Sequence, residues 1–187
     1  MSKEKIEFLY LSEPDMIEAG VLDMKECINV MEEVFTLMSE NDYLMGGPKG
    51  SSHGMKLWYP KGKRGRNMPV AGDDRRAMTM IAYVGGEYDV CGNKWYGSNV
   101  ANRERGLPRS IHSITLNDPE TGAPLAMCSG NLVSAMRTGA VPGLATRYLK
   151  SDSASVVGII GAGVINRAAL IAICESLGNV ELVKIYN

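Results

Sequence analysis

One short segment constrains the fold of this chain more than any other. Residues 155–160 form a nearly continuous apolar run, which is typical of a strand buried on both faces of a parallel sheet. Gly161 and Gly163 follow, then a predicted helix that ends at Leu177, and then a second predicted strand over residues 180–186. The segment therefore predicts one βαβ unit.

The glycine pair at the turn of this unit has two explanations. Such pairs often serve only as tight turns. Between a buried strand and a helix, however, Gly161 allows a sharp turn, and Gly163 lets the backbone approach a pyrophosphate at the amino end of the helix. We therefore predict that this turn binds a dinucleotide.

Two positions depart from the usual dinucleotide pattern. Asn166 stands where a third glycine is common, so its side chain either separates helix from strand or offers a polar group to the loop. The acid that binds the ribose hydroxyls, expected about 20 residues further on, falls near Asn187. An asparagine can bond a ribose hydroxyl without repelling a 2′-phosphate. NAD is the predicted cofactor, and NADP is left open.

A doubly wound nucleotide domain needs several further βαβ units. A chain that stops at the second strand leaves apolar faces uncovered and strand edges unpaired. We therefore expect these 187 residues to be part of a longer protein.

The residues before this unit predict helices and an antiparallel sheet. Predicted helices begin near Ser12, begin after the cap Asp23, and cover residues 131–149 with a kink or interruption at Pro142. The stretch from Gly46 to Asp74 reads as a solvated loop. Strands are predicted at residues 6–11, twice between 77 and 91, at 109–116 and at 124–128, and the turn signal over 117–122 makes the last two antiparallel partners.

Composition excludes several classes of partner. Lys and Arg total 20 against 21 Asp and Glu, so a net charge of −1 gives no general attraction to nucleic acid or to an anionic membrane. No apolar run approaches the roughly 20 residues of a membrane span. The four cysteines form no C-x-x-C pair, no apolar signal segment follows Met1, and no metal-ligand spacing occurs. We expect a soluble, reduced, cytoplasmic protein without a metal.

Four motifs follow one another in a distinctive order. They are the G-x-K strand at Gly92–Lys94, the D-x-x-T-G-x-P-x-A hairpin at Asp118–Ala126, the R-T-G-A helix at Arg137–Ala140, and the glycine loop that starts at Gly161. In this order they resemble the ornithine cyclodeaminase and mu-crystallin family. The resemblance runs from about Gly46 to the end. It implies an α/β fold, with an α+β substrate and dimerisation domain over 1–150 whose antiparallel sheet joins that of a second subunit. The start of a Rossmann NAD(P)-binding domain follows over 151–187.

The resemblance also implies roles for individual residues. Lys94 corresponds to the lysine that binds the substrate carboxylate, and Arg137 to the arginine at the junction of substrate and cofactor. Lys49 replaces a carboxylate-binding arginine, which keeps the charge but loses bidentate geometry. Arg109 corresponds to a family residue that contacts the cofactor. Val164 and Ile165 correspond to residues whose amides lie at the cofactor phosphates, and Asn187 to the acid that binds the ribose. The family's catalytic aspartate would lie beyond Asn187.

The roles of Lys94 and Arg137 agree with elementary chemistry, and their place in the family motifs is what favours these roles. Removing hydride from an amine-bearing carbon requires the adjacent carboxylate to be held, and Lys94 and Arg137 could do so. Without the motifs, an exposed strand residue would be the favoured explanation for Lys94 and a helix-surface salt bridge that for Arg137, because most Lys and Arg are simply exposed. His112 alternates with apolar strand residues and is interpreted as a half-buried packing residue, whereas His53 in a Ser-Ser-His-Gly loop is a weaker candidate for proton transfer.

By resemblance, the predicted reaction converts ornithine to proline and ammonia, with hydride abstracted by NAD⁺ and then returned. Ketimine reductase and amino-acid dehydrogenase are alternatives within the same family. A non-catalytic cofactor-binding or accessory subunit is the alternative from another class. In every enzymatic case the partner is a small amino or imino acid.

Overall fold

The computed structural model of the chain describes residues 5–47, 50, 54–62 and 64–187. Two predicted residues, Lys49 and His53, lie outside this set. The described helices include none with the length and apolar character needed to cross a membrane. The chain divides into two compact parts, a sheet unit (Met1–Ser12 and Asn41–Asn131) and a helix unit (Glu13–Glu40 and Leu132–Asn187).

One sheet dominates the sheet unit. Its seven strands among the described residues are β1 (Leu9–Leu11), β2 (Tyr43–Met45), β3 (Met55–Trp58), β4 (Arg76–Val84), β5 (Val90–Ser98), β6 (Ser110–Asn117) and β7 (Pro124–Ser129). Their order is β1-β7-β6-β5-β4-β2, and β3 also pairs with β4. All neighbours are antiparallel except β1 and β7. The predicted antiparallel sheet is confirmed, and its parallel edge pair was not predicted.

Two strands differ from the sequence prediction. The stretch expected to be a solvated loop contains β3, whose four residues are all exposed, so backbone pairing with β4 rather than burial maintains it. The strand expected to end at Cys91 continues through Gly92 and Lys94 to Ser98. Glycine and polar residues hide this extension in the sequence, and pairing with β4 and β6 on both sides stabilises it.

The predicted turn between β6 and β7 is built by one carboxylate. Asp118 Oδ1 accepts hydrogen bonds from the Thr121 backbone N–H at 2.7 Å and from the Thr121 hydroxyl at 2.5 Å. The hydroxyl bond, followed by the backbone bond, holds the pKa of Asp118 below its ordinary value. Gly122 completes the turn at φ 74°. The D-x-x-T-G motif is therefore explained by local turn chemistry, and the antiparallel pairing of β6 with β7 is confirmed.

The strand register separates the side chains into two faces. On β5, Lys94, Tyr96 and Ser98 point to one face. Their partners on β4 are Met80, Met78 and Arg76, and their partners on β6 are Ile114, His112 and Ser110. We call the face that carries these residues the Lys94 face. The other face, here called the apolar face, carries exposed Tyr10, Leu44, Met55, Leu57, Ile81, Trp95, Ile111, Leu125 and Met127.

The helix unit contains the predicted βαβ segment and three further helices. Its elements are α1 (Glu13–Glu18), α2 (Met24–Ser39), α3 (Asn131–Leu149), β8 (Val156–Ile160), α4 (Val164–Leu177) and β9 (Leu182–Tyr186). Strands β8 and β9 pair in parallel, which confirms the βαβ prediction. The core joins α2, α3 and α4 through Met24, Ile28, Met136, Ala140, Leu144, Ala168 and Ala172. The predicted division into functional domains at residues 150 and 151 stays a prediction.

Helix α3 passes through Pro142 without interruption. The predicted interruption at this residue is therefore absent, and the alternative of a kink stays a prediction. Proline removes one helical N–H and crowds the preceding turn, but Ala140 and Leu144 on either side are buried in the core of the helix unit, which holds the two halves in one helix. The Thr146 hydroxyl also donates to the Pro142 carbonyl at 2.8 Å.

Candidate functional site

The turn between β8 and α4 has the backbone shape that the sequence predicts. Gly161 has φ +93°, a left-handed conformation that favours glycine, and its N–H donates to the Tyr186 carbonyl at 2.6 Å. Gly163 has an ordinary φ of −71°, and a Cβ placed on it would meet no described atom within 4 Å. Neither backbone conformation nor packing therefore requires glycine at 163. The missing side chain leaves open space in front of the helix.

The first turn of α4 differs from that of α2 in how its amides are satisfied. At α2, the Asp23 carboxylate accepts a hydrogen bond from the Glu26 N–H at 2.9 Å. At α4, the cap position is Gly163, and within the described residues no side chain bonds the first-turn amides. Val164 and Ile165 are 67% and 38% exposed. Unbonded amides and the helix dipole favour an anion at this position.

Asn166 stabilises the turn from inside. Its side-chain amide donates to the Ile160 carbonyl at 2.7 Å and to the Gly161 carbonyl at 3.0 Å. The sequence left two roles open for Asn166, which were to separate helix from strand or to offer a polar group to the loop. The structure shows the second role. Its predicted contact with the cofactor stays a prediction.

Asn187 lies against the same turn. Its side-chain oxygen accepts a hydrogen bond from the Ala162 N–H at 3.0 Å, and Arg167 Nε donates to the Ala162 carbonyl at 3.2 Å. The residue predicted near the ribose thus lies beside the glycine loop. The open space at Gly163, the uncapped amides and a neutral Asn187 together fit the pyrophosphate and ribose of a dinucleotide.

Lys94 lies half-buried on the central strand β5 of the sheet unit. Its Nζ is 5.5 Å from the centre of the Tyr96 ring, a cation–π distance. The Tyr96 ring in turn packs edge-on against His112, with ring centres 5.1 Å apart. The His112 backbone N–H donates to Asn131 Oδ1 at 2.7 Å. His112 is therefore half-buried among strand residues, as predicted, and Tyr96 connects it to Lys94.

An ion cluster that sequence reasoning missed lies at the end of the Lys94 face. Asp74 accepts hydrogen bonds from Nη1 of Arg76, from Nη1 of Arg109 and, at 2.5 Å, from the Ser98 hydroxyl. Arg76 Nη2 also contacts the Tyr96 hydroxyl at 3.3 Å. Only the register of β4 with β5 brings Arg76 to Ser98 and Tyr96, and register is not visible in one sequence. The predicted cofactor contact of Arg109 stays a prediction.

Arg137 is exposed on α3 in the helix unit. The residues after it explain the rest of its motif, because the Thr138 hydroxyl donates to the Ser134 carbonyl at 2.6 Å, while Gly139 and Ala140 are buried. Lys94 belongs to the sheet unit and Arg137 to the helix unit. The predicted role of each residue in holding a carboxylate stays a prediction.

The cysteines and acids give no sign of another centre. All four cysteines are free thiols, and burial raises the pKa of Cys27 and Cys128. Within residues 5–47, 50, 54–62 and 64–187, no three His, Cys, Asp or Glu residues are grouped as metal ligands. In the described part of the chain, the predicted site residues lie at the glycine loop, on the Lys94 face and, for Arg137, on α3.

Comparison with known proteins identifies the family. Residues 21–187 match the model of the ornithine cyclodeaminase/mu-crystallin family. The chain belongs to this family. The resemblance in the four sequence motifs is thereby confirmed, and the match begins earlier in the chain than those motifs do.

Three members of the ornithine cyclodeaminase/mu-crystallin family illustrate the similarity. The N-((2S)-2-amino-2-carboxyethyl)-L-glutamate dehydrogenase of Staphylococcus aureus is 31% identical over 183 residues, which cover 97% of this chain and 50% of that protein. The structure of Thermococcus litoralis Delta(1)-pyrroline-2-carboxylate reductase in complex with NADH and L-proline aligns with a TM-score of 0.77 at 31% identity, covering 96% of this chain and 50% of that one. An archaeal alanine dehydrogenase dimer with bound NAD aligns with a TM-score of 0.76 at 28% identity, covering 96% and 48%.

These figures also describe how much of the family fold the chain contains. It spans about half the length of each of the three relatives. The mixed α/β fold with a mostly antiparallel sheet and a Rossmann-like segment agrees with the two solved structures. The predicted fold class is confirmed.

Proposed function

We propose that this chain contributes the dinucleotide loop and part of the substrate site to an NAD(P)-dependent oxidoreductase that acts on a small amino or imino acid. The observation that carries the proposal is the turn from Gly161 to Asn166, with open space at Gly163 and an uncapped first turn of α4. The family relatives support it, since two were solved with NADH or NAD bound.

The chain's own residues hold the cofactor through its phosphates. The uncapped amides of Val164 and Ile165 would bond the pyrophosphate, and Asn187, which lies beside Ala162, would bond a ribose hydroxyl. The bound nicotinamide supplies the hydride donor or acceptor of the reaction. NAD is the first choice because the compared structures contain it. NADP is also compatible, because Asn187 carries no charge to repel a 2′-phosphate.

Lys94, Arg137 and Lys49 bind the substrate carboxylate in this proposal. Holding that group would orient the neighbouring carbon for hydride transfer, and such orientation lowers the entropic part of the reaction barrier. Tyr96 assists by covering one side of the Lys94 ammonium with its ring.

The reaction we favour is hydride transfer to or from an amino or imino acid, as in the dehydrogenases and the reductase compared above. Ornithine cyclodeamination uses the same hydride transfer and adds loss of ammonia. Full-length protein assayed for ammonia release from ornithine, and for NAD(P)H turnover with cyclic imines and amino acids, separates these reactions. If the protein binds a dinucleotide but shows neither ammonia release nor NAD(P)H turnover, an accessory binding subunit would be favoured instead.

The glycine loop gives a direct test of the proposal. Gly163→Ala should leave folding intact, because the added Cβ meets no described atom and φ is ordinary. The same Cβ enters the space that the pyrophosphate needs, so NADH affinity should fall about tenfold, a loss of about 1.4 kcal/mol. Fluorescence titration of full-length protein with NADH measures the change.

The matched control is Gly158→Ala on β8. Its added Cβ also meets no described atom, but it lies outside the turn. This variant should bind NADH like the wild type. Equal NADH affinity of wild type and Gly163→Ala would contradict the proposed site.

We further propose that the apolar face joins that of a second copy of the chain. Nine exposed apolar side chains lie together on this face, a large exposed apolar patch is typical of a protein–protein interface, and one compared structure is a dimer. Trp95→Glu places a charge at a residue that is 49% exposed near the middle of this face. The dimer dissociation constant should rise at least about tenfold, whereas Trp95→Phe should keep the dimer. Sedimentation of full-length variants measures both, and an unchanged dimer in Trp95→Glu would exclude this surface.

A further inference from the structure

Two guanidinium groups share one carboxylate at the end of the Lys94 face. Both Arg76 and Arg109 form ion pairs with Asp74. Among the salt bridges of the described residues, Asp74 is the acid that pairs with each of them. Since arginine stays protonated in proteins, the cluster keeps one uncompensated positive charge.

The cluster also keeps unused hydrogen-bond donors. Arg109 uses Nη1 for Asp74 and for the Ser98 hydroxyl at 3.2 Å, and in the described part of the chain its Nε and Nη2 donate to no residue. Its side chain is 44% exposed. Arg76 Nε is buried and has no partner among the described residues. An arginine fixed at one nitrogen and open at the others is suited to bidentate binding of a carboxylate.

The surroundings of the cluster strengthen its attraction for an anion. The Arg76 guanidinium lies 5.2 Å from the centre of the Trp58 ring and 5.9 Å from that of Tyr96. Its side chain is 21% exposed, as is that of Asp74. Partial exclusion of water lowers the local dielectric constant, and a charge there interacts more strongly than on an open surface.

The position of the cluster relates it to Lys94. Ser98 ends β5 four residues after Lys94, which is about 13 Å along a strand. Tyr96 lies between them, contacting Arg76 through its hydroxyl and Lys94 through its ring. The cationic ends of Lys94 and Arg76 lie 5.5 Å and 5.9 Å from the centre of the same Tyr96 ring, and an amino acid with one carboxylate, held at Lys94, does not need the second cationic group. A longer substrate with a second carboxylate needs a second cationic group to bind that carboxylate.

We propose that Arg109, fixed by Asp74 and supported by Arg76, binds a second carboxylate of the substrate. The substrate class is then a dicarboxylic amino acid or its imino form. This inference rests on the proposed function and deepens it. It also gives Arg109 a role different from the cofactor contact that the sequence resemblance implies.

The test compares each dicarboxylic ligand with its neutral amide. L-glutamate, L-2-aminoadipate and L-2-aminopimelate are titrated into full-length protein by calorimetry, with and without NADH, beside the corresponding ω-amides. Wild type should bind at least one diacid about tenfold more tightly than its amide. Arg109→Gln should remove that difference and leave the NADH dissociation constant unchanged. Arg109→Lys, which keeps the charge, should retain part of the preference.

Arg105→Gln is the matched control, because Arg105 is an exposed arginine at the end of the neighbouring 3₁₀ turn Val100–Arg105. It should keep the preference for the acid, and thermal melting checks that each variant is folded. Equal or absent binding of acid and amide by wild type would overturn the inference, as would an Arg109→Gln variant that loses NADH affinity and keeps the preference for the acid. Loss of the proposed function is recognised separately, as failure of wild type to bind NADH or NADPH.

Discussion

Gly143→Leu should prevent the helix unit from folding. A Cβ on Gly143 would lie 2.6 Å from the Ala172 Cβ and 2.8 Å from the Ala172 carbonyl oxygen, and Gly139 meets Ala168 in the same way one turn earlier. Backbone atoms of α4 cannot move aside as a flexible side chain can. The two helices therefore depend on small residues at this contact.

The expected size of the effect follows from two opposing terms. Alanine in place of a helical glycine gains up to about 1 kcal/mol from backbone entropy, whereas overpacking a core costs about 1 to 3 kcal/mol or more. Because the clash at Gly143 involves backbone, Gly143→Ala should lower the free energy of unfolding by about 2 kcal/mol. Leucine adds three further carbons and should exceed the stability of the unit.

Thermal and urea unfolding of full-length protein, followed by circular dichroism, measures this loss. Ala145→Leu serves as the control, because Ala145 is exposed on the same helix and the same side chain should change stability by less than about 0.5 kcal/mol there. If Gly143→Leu were as stable as the wild type, Gly143 of α3 would not pack against Ala172 of α4.

Lys94→Gln should reduce kcat/KM about 100-fold with the natural amino or imino acid. The change removes a charged hydrogen bond to the substrate carboxylate, an interaction worth about 1.5 to 3 kcal/mol. Glutamine keeps a polar side chain on β5, so the sheet should remain folded. NADH binding should not change, because the proposed cofactor contacts lie in the loop that starts at Gly161.

Lys56→Gln provides the matched control for Lys94. Lys56 lies on β3 opposite Met78 and therefore points to the same face of the sheet, but it is exposed. The control should retain wild-type kcat/KM, and Lys94→Arg should recover part of the lost activity. Steady-state kinetics with saturating NAD(P)H measures all three. An unaltered KM and kcat in Lys94→Gln would remove this residue from the substrate site.

Local interactions explain what the sequence predicted well. The Asp118 turn and the Asp23 cap of α2 join residues close together in the chain, so their spacing is visible in the sequence. At the β8–α4 turn, the glycine pair is visible in the same way, although Tyr186 and Asn187 also hold it. The βαβ unit follows from the same kind of periodicity, since β8, α4 and β9 come one after another.

Non-local pairing explains what was missed. The Asp74 cluster joins residues 24 and 35 positions apart, and only strand register brings Ser98 and Arg109 to that carboxylate. Strand β3 likewise has no buried side chain to produce a hydrophobic pattern. Tyr96 could have been noticed only as the second residue after Lys94 on one strand, on the same face.

The hydrogen bonds of Asn166 have an energetic consequence for ligand capture. With both carbonyl contacts made by its amide, the turn holds its shape through the protein's own interactions. Association then carries little entropic penalty for immobilising this part of the backbone, and preorganisation of this kind favours tight binding. Together with the bonds to Tyr186 and Asn187, this side chain lets a small-molecule partner meet a receptor whose geometry is set in advance.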